Sequence, residues 1–119
     1  MNKRFLNEIT CGDSEQLIQD LDDDSVDLVI TSPPYNVDLG YNAKHQNPYD
    51  LYQDNKSHHD YIGWLHSIFE KIKPKLVTGG RICLNIGDGK NGAVPTHSDI
   101  IQFMTRELDF LIMSNIIWN

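Results

Sequence analysis

The stretch Val26-Asp27-Leu28-Val29-Ile30 is apolar at every position but one and runs directly into Thr31-Ser32-Pro33-Pro34-Tyr35-Asn36. Apolar side chains occupy both of the faces that strand alternation would separate. The run therefore predicts a strand covered on two sides, as in a parallel sheet. Two consecutive prolines then fix their own φ angles and withdraw two backbone donors, and Ser32, preceding a proline, is pushed to extended conformations. The result is a rigid bend at the tip of a buried strand.

The remaining chain alternates around that strand. Residues 5–10 read as a short strand ending at Cys11-Gly12-Asp13. Ser14 can cap a helix with Glu15 in its first turn and Leu17, Ile18 and Leu21 on one face. Residues 20–25 read as a solvated acidic turn, because Asp22, Asp23 and Asp24 are consecutive and lack calcium-loop spacing. Residues 37–56 form a long polar connection, which in a compact domain is a functional lid or an insert. Ser57 and Asp60 start a second helix as a capping pair, with Tyr61, Trp64, Leu65, Ile68 and Ile72 at helical spacing. Pro74 and Gly79-Gly80 end that region, and residues 81–86 read as the next buried strand. Thr96 and Asp99 repeat the capping pattern ahead of Ile100, Phe103, Met104 and Leu108, and residues 109–118 read as a last strand.

Alternation of this kind predicts an α/β fold: three layers, a mostly parallel sheet and helices on both faces, with residues 1–119 in one domain. In such sheets ligands bind beyond the carboxyl ends of the strands. Those ends carry Asp13, then 32–36, then Gly87-Asp88-Gly89.

Composition narrows the partners. A net charge of -7 argues against a basic surface that holds nucleic acid non-specifically, so a nucleic-acid enzyme would need its basic contacts elsewhere. Cys11 and Cys83 lie far apart in apolar surroundings and read as small buried hydrophobes rather than a disulfide or metal site. The N-terminal residues are basic but no apolar stretch follows them, and no run reaches membrane-spanning length. The expectation is a soluble, cytoplasmic protein.

The bend suits one demanding chemistry. An exocyclic amine on adenine or cytosine is a poor nucleophile because its lone pair is conjugated with the ring. Two acceptors on its hydrogens favour the pyramidal nitrogen, and a fixed pose aligns that nitrogen with an electrophile. The Pro33 carbonyl and the Ser32 hydroxyl can accept side by side. Tyr35 offers a π face to a base taken out of the stack, worth about 1–3 kcal/mol. A plain turn is the alternative. Two other patterns mislead. Gly87-Asp88-Gly89-Lys90-Asn91-Gly92 fits a dinucleotide fingerprint, but Pro95 intervenes before a helix can start. His58, His59 and His66 have no cysteine nearby and read as helix-surface residues. Neither cysteine follows a proline, which excludes the usual cytosine-C5 thiol chemistry.

Thr31-Ser32-Pro33-Pro34-Tyr35-Asn36 resembles the catalytic motif of S-adenosylmethionine-dependent DNA amino-methyltransferases. Cys11-Gly12-Asp13, residues 24–30, residues 61–75, Gly79-Gly80-Arg81-Ile82 and Ile116-Ile117-Trp118-Asn119 resemble flanking segments of the permuted (beta-type) group, whose catalytic motif lies near the N-terminus. The resemblance implies that Ser32, Pro33, Pro34 and Tyr35 form the catalytic motif. Ser32 and the Pro33 carbonyl would contact the target amine, and Tyr35 would stack on the flipped base. Asp13 matches the acidic residue that binds the cofactor's adenine amine, or it caps the helix; both roles can hold together. The family's Phe-x-Gly-x-Gly loop does not occur in these residues. The expectation is the N-terminal portion of a DNA methyltransferase acting on cytosine N4 or adenine N6. By itself it would be nearly inactive, and an incomplete sheet edge would be open to self-association. An RNA or protein-amide methyltransferase and a non-catalytic module are the alternatives.

Overall fold

The structure is a computed structural model that describes residues 3–37 and 52–118. It divides into two compact units interleaved along the chain, one of residues 1–33 with 67–85 and the other of residues 34–66 with 86–119.

The first unit holds the sheet. Strand β1 is Val26–Thr31 and strand β2 is Leu76–Leu84, and they pair in parallel. The β1 boundaries are those its apolar run predicts. Strand β2 begins earlier than expected, because Gly79-Gly80 lies inside it rather than ahead of it. Two steps along β1, from Val26 to Leu28, match five along β2, from Leu76 to Arg81. Gly79 absorbs the bulge at φ +82, and a Cβ on Gly80 would lie 2.9 Å from the Val77 carbonyl oxygen. Helix α1, Ser14–Leu17, is a single turn continued by a 3-10 turn, Ile18–Asp20. The acidic connection to β1 is tied to β2's approach: Lys75 Nζ donates to Asp23 at 2.7 Å and to the Leu21 carbonyl at 2.8 Å.

Two expected strands are corrected. Residues 6–10 carry no strand, and residues 109–118 are irregular and largely exposed. A strand exists only when a neighbour takes its backbone groups, and the sheet among the described residues has β1 and β2 alone. The same lack of cover corrects the reading of the cysteines. Cys11 and Cys83 are both free and exposed.

Helix α2, His58–Ile72, supplies its residues up to His66 to the second unit and the rest to the first. Its start is the expected capping pair, with the Asp60 N–H donating to Ser57 Oγ at 3.1 Å. Tyr61, Leu65, Phe69 and Ile72 recur on one helical face and are buried. Helix α3, Thr96–Arg106, buries Thr96, Ile100 and Phe103, with Leu108 just beyond it.

The expected Thr96–Asp99 capping pair does not form. Pro95 sits at the N-cap without a side-chain cap bond. Asp88, from the preceding loop, takes that part by accepting the His97 N–H at 3.0 Å. Asp99 instead pairs with His58 at 2.6 Å. No described helix is long and apolar enough to cross a membrane.

Candidate active site

In the first unit, Thr31 ends β1 and its carbonyl accepts the Asn85 N–H at 2.9 Å, just past the end of β2. Asn85 Nδ2 also donates to Ser32 Oγ at 3.3 Å. Adjacent parallel strands thus deliver two polar side chains to the same pole, and Ser32 stays exposed there. Asp13 is the N-cap of α1, accepting the Glu15 N–H at 2.9 Å. Its capping role is therefore formed. A carboxylate has about four lone-pair sites, so a cap leaves acceptor capacity unused. A shallow apolar cleft of about 180 Å³ is lined by residues on both sides of Asp13, among them Gly12, Ser14, Leu17 and Leu21. Glu15, in the first turn of α1, bonds Lys71 Nζ and Ser67 Oγ. Lys71 first, then Ser67, holds the Glu15 carboxyl below the usual carboxylate range.

In the second unit the bend continues through Pro34, Tyr35 and Asn36, each part-buried. The Tyr61 hydroxyl, on a side chain with 0% exposure, donates to the Pro34 carbonyl at 2.5 Å. Asn36 has φ 60, a left-handed conformation that Asn tolerates better than most residues. Its side-chain amide pairs with the backbone of Lys56 in both senses. Asn36 Nδ2 donates to the Lys56 carbonyl at 2.7 Å, and the Lys56 N–H donates to Asn36 Oδ1 at 2.8 Å. Asp54, 4% exposed, accepts the Asn36 N–H at 2.8 Å on one oxygen and the Val37 N–H at 3.2 Å on the other.

The segment after β2 reaches Tyr35 as well. A Cβ built on Gly87 would sit 3.0 Å from Tyr35 Cδ2 and 3.3 Å from Cε2, so only a glycine lets the ring lie where it does. This is what the Gly87–Gly92 pattern does in the fold. Its last glycine ends a 3-10 turn, Lys90–Gly92, and a Gly89–Val94 bridge closes the loop before Pro95. The His97 N–H first, then its ring, holds the Asp88 carboxyl below the usual range.

Sequence reasoning located the bend but missed what grips it. Asp54 and Lys56 come from a polar stretch without periodicity, and the Tyr61 hydroxyl was hidden in an apolar helical face. The only local signal was Asn36, a residue type suited to positive φ. The long connection expected at 37–56 falls mostly on residues 38–51, outside the described residues. His58 and His66 pair with Asp99 and Glu107. Among the described residues, no group of three or more His, Cys, Asp or Glu is placed to hold a metal.

Among solved structures, the chain is similar to PvuII DNA methyltransferase (cytosine-N4-specific). The TM-score is 0.58 at 24% identity, over 81% of this chain and 32% of that one. That likeness shows the fold: an α/β architecture built on a parallel sheet. The model of the N6/N4 DNA methylase family matches residues 26–119, and the chain belongs to that family. It is 34% identical to the type II methyltransferase M.MjaVI of Methanocaldococcus jannaschii, over 96% of this chain and 55% of that protein. It is 35% identical to the type II methyltransferase M.BglII of Bacillus subtilis, over 71% of this chain and 21% of that protein. The chain thus spans about half the length of the first relative and a fifth of the second.

Proposed function

We propose that this chain is the target-base portion of a DNA methyltransferase that transfers a methyl group from S-adenosylmethionine to an exocyclic amine, cytosine N4 or adenine N6. The observation that carries the reading is the anchored bend: a Pro-Pro-Tyr-Asn segment gripped on both sides of its aromatic ring, in a member of the N6/N4 DNA methylase family. Anchoring of this kind serves catalysis that depends on fixed acceptors and a fixed stacking face.

The roles follow from residue chemistry. Ser32 Oγ and the Pro33 carbonyl accept from the two amine hydrogens, which turns the nitrogen lone pair outward. Pro34 holds the bend rigid and Tyr35 stacks on the everted base. Asp13 fits the adenine-amine end of the cofactor, since a capping carboxylate keeps spare acceptor capacity and an apolar cleft adjoins it. When bound, S-adenosylmethionine supplies an electrophilic methyl group. The chain spans about half the length of the first relative, which supports reading 1–119 as one portion of a methyltransferase catalytic domain. The half-exposed Leu28 and the exposed Ile30 on β1 support self-association at the sheet edge.

A methylation assay on duplex DNA with labelled cofactor tests the reading. This polypeptide alone is expected to show little turnover, and to contribute to turnover when joined to the remaining domain of such an enzyme. Robust turnover by the 119 residues alone contradicts the division of labour. Label appearing in RNA or in a protein amide, with none in DNA, contradicts the substrate class.

A further inference from the structure

We propose that Asp54 is a positioning residue for the base-stacking ring, an inference that rests on the methyltransferase reading above. Its carboxylate is almost completely buried and each oxygen takes one backbone donor, from Asn36 and from Val37. Those N–H groups follow directly after Tyr35. On the other side, the Pro34 carbonyl is held by the Tyr61 hydroxyl. Tyr35 therefore hangs between two pinned neighbours while Gly87 backs its ring. A ring on a loose loop would spend its stacking energy on becoming ordered; a ring whose backbone is already fixed would not.

The charge on Asp54 matters beyond its shape. The position needs two acceptors in a fork, and a carboxylate is the side chain of that length that supplies them. An amide supplies one acceptor and sets an NH₂ against the second backbone donor. Asp54→Asn is thus nearly isosteric yet opposes donor to donor at Asn36 or Val37. Leaving a donor unpaired in a buried place costs more than the lost bond itself. Asn36 adds a second grip through Lys56, so the loosened segment stays attached while its precision falls.

The test uses the full chain and two readouts. The first is backbone amide exchange with the NMR signals of the Tyr35 ring. The second is titration with 2-aminopurine riboside, a fluorescent base probe. In Asp54→Asn, exchange at Asn36 and Val37 is expected to quicken about tenfold and the Tyr35 ring signals to broaden, while amides around Ile100 and Phe103 hold. Probe affinity is expected to fall with Asp54→Asn and to fall further with Tyr35→Ala. Asp99→Asn, which breaks only the His58 pair, is expected to change neither readout. Unchanged exchange and an unchanged Tyr35 signal in Asp54→Asn overturn the positioning role. A probe that binds the unaltered chain and the Tyr35→Ala variant equally overturns the base-stacking reading on which that role rests, and does so without touching the exchange result.

Discussion

Two regions of this chain, the Tyr35 segment and strand β1, solve opposite problems. Around Tyr35, polar groups are gathered inward: Asp54 and Tyr61 are both buried, and their bonds end on that segment. On β1, apolar groups face outward. Ile30 on β1 is 75% exposed, although its strand is the most apolar in sequence. Apolar exposure of this kind marks surface awaiting cover, whereas buried hydrogen-bonded polar groups mark a locally finished structure. The difference teaches that the Tyr35 segment, proposed to meet the base, is braced from within its own unit, while β1 leaves Leu28 and Ile30 exposed among the described residues.

Mutations can sharpen that contrast. The largest effect is expected at Phe103 on α3, in the unit that carries Tyr35 and 3% exposed. Phe103→Ala should cost about 3–5 kcal/mol in urea unfolding. Ile30→Ala should stay within about 0.5 kcal/mol because its side chain leaves little behind. Equal losses would show that β1 is covered in solution. Tyr61→Phe removes only the hydroxyl that holds Pro34 and should cost about 1 kcal/mol by the same measurement.

Acid provides a comparison between the units, since carboxyls in both lie below their usual range: Glu15 in the first, Asp60 and Asp88 in the second. The stability they contribute is fully present above the ordinary carboxylate range and is lost as pH falls through the lowered folded-state values. Stability measured against pH should therefore decline on the acid side, and Asp88→Asn should flatten part of that slope. A slope unchanged in both Asp88→Asn and Glu15→Gln would contradict the assignment. The smallest thermodynamic effect is expected from Gly87→Ala, where the Tyr35 ring must give by a few tenths of an ångström. Its signature is a shifted Tyr35 ring resonance with little change in unfolding midpoint. Ile30→Lys at the sheet edge should lower any concentration-dependent association in sedimentation, and no change would remove the edge as its cause.

Much of this organisation was legible in the residues, and the failures share a cause. The bounds of β1, the Ser57–Asp60 cap and the burial of Tyr61, Leu65 and Ile72 on α2 are written in local periodicity and capping chemistry and form as read. But β1 lacks the expected cover at Leu28 and Ile30, and Phe69 rather than Trp64 or Ile68 completes the buried face of α2. Residues 5–10 and 109–118 have strand-like apolarity, yet a strand is a property of a pair and, among the described residues, no neighbour joins them. Asp88 supplanted Thr96 and Asp99 at the start of α3 because a loop carboxylate arriving from outside the helix competes with any cap encoded inside it. The bend itself was visible because prolines act on their own backbone. Its anchor was not, since Asp54 meets Asn36 across 18 residues of polar chain that carry no periodic signal.

The most direct measurement compares two affinities of Tyr35→Ala in a methyltransferase that joins this chain to the remaining domain of such an enzyme: one for DNA and one for S-adenosylmethionine. If the ring clasps the everted base, DNA affinity drops by about one stacking interaction, 1–3 kcal/mol, and cofactor affinity holds. An equal drop for both ligands, or a drop for the cofactor alone, contradicts the account.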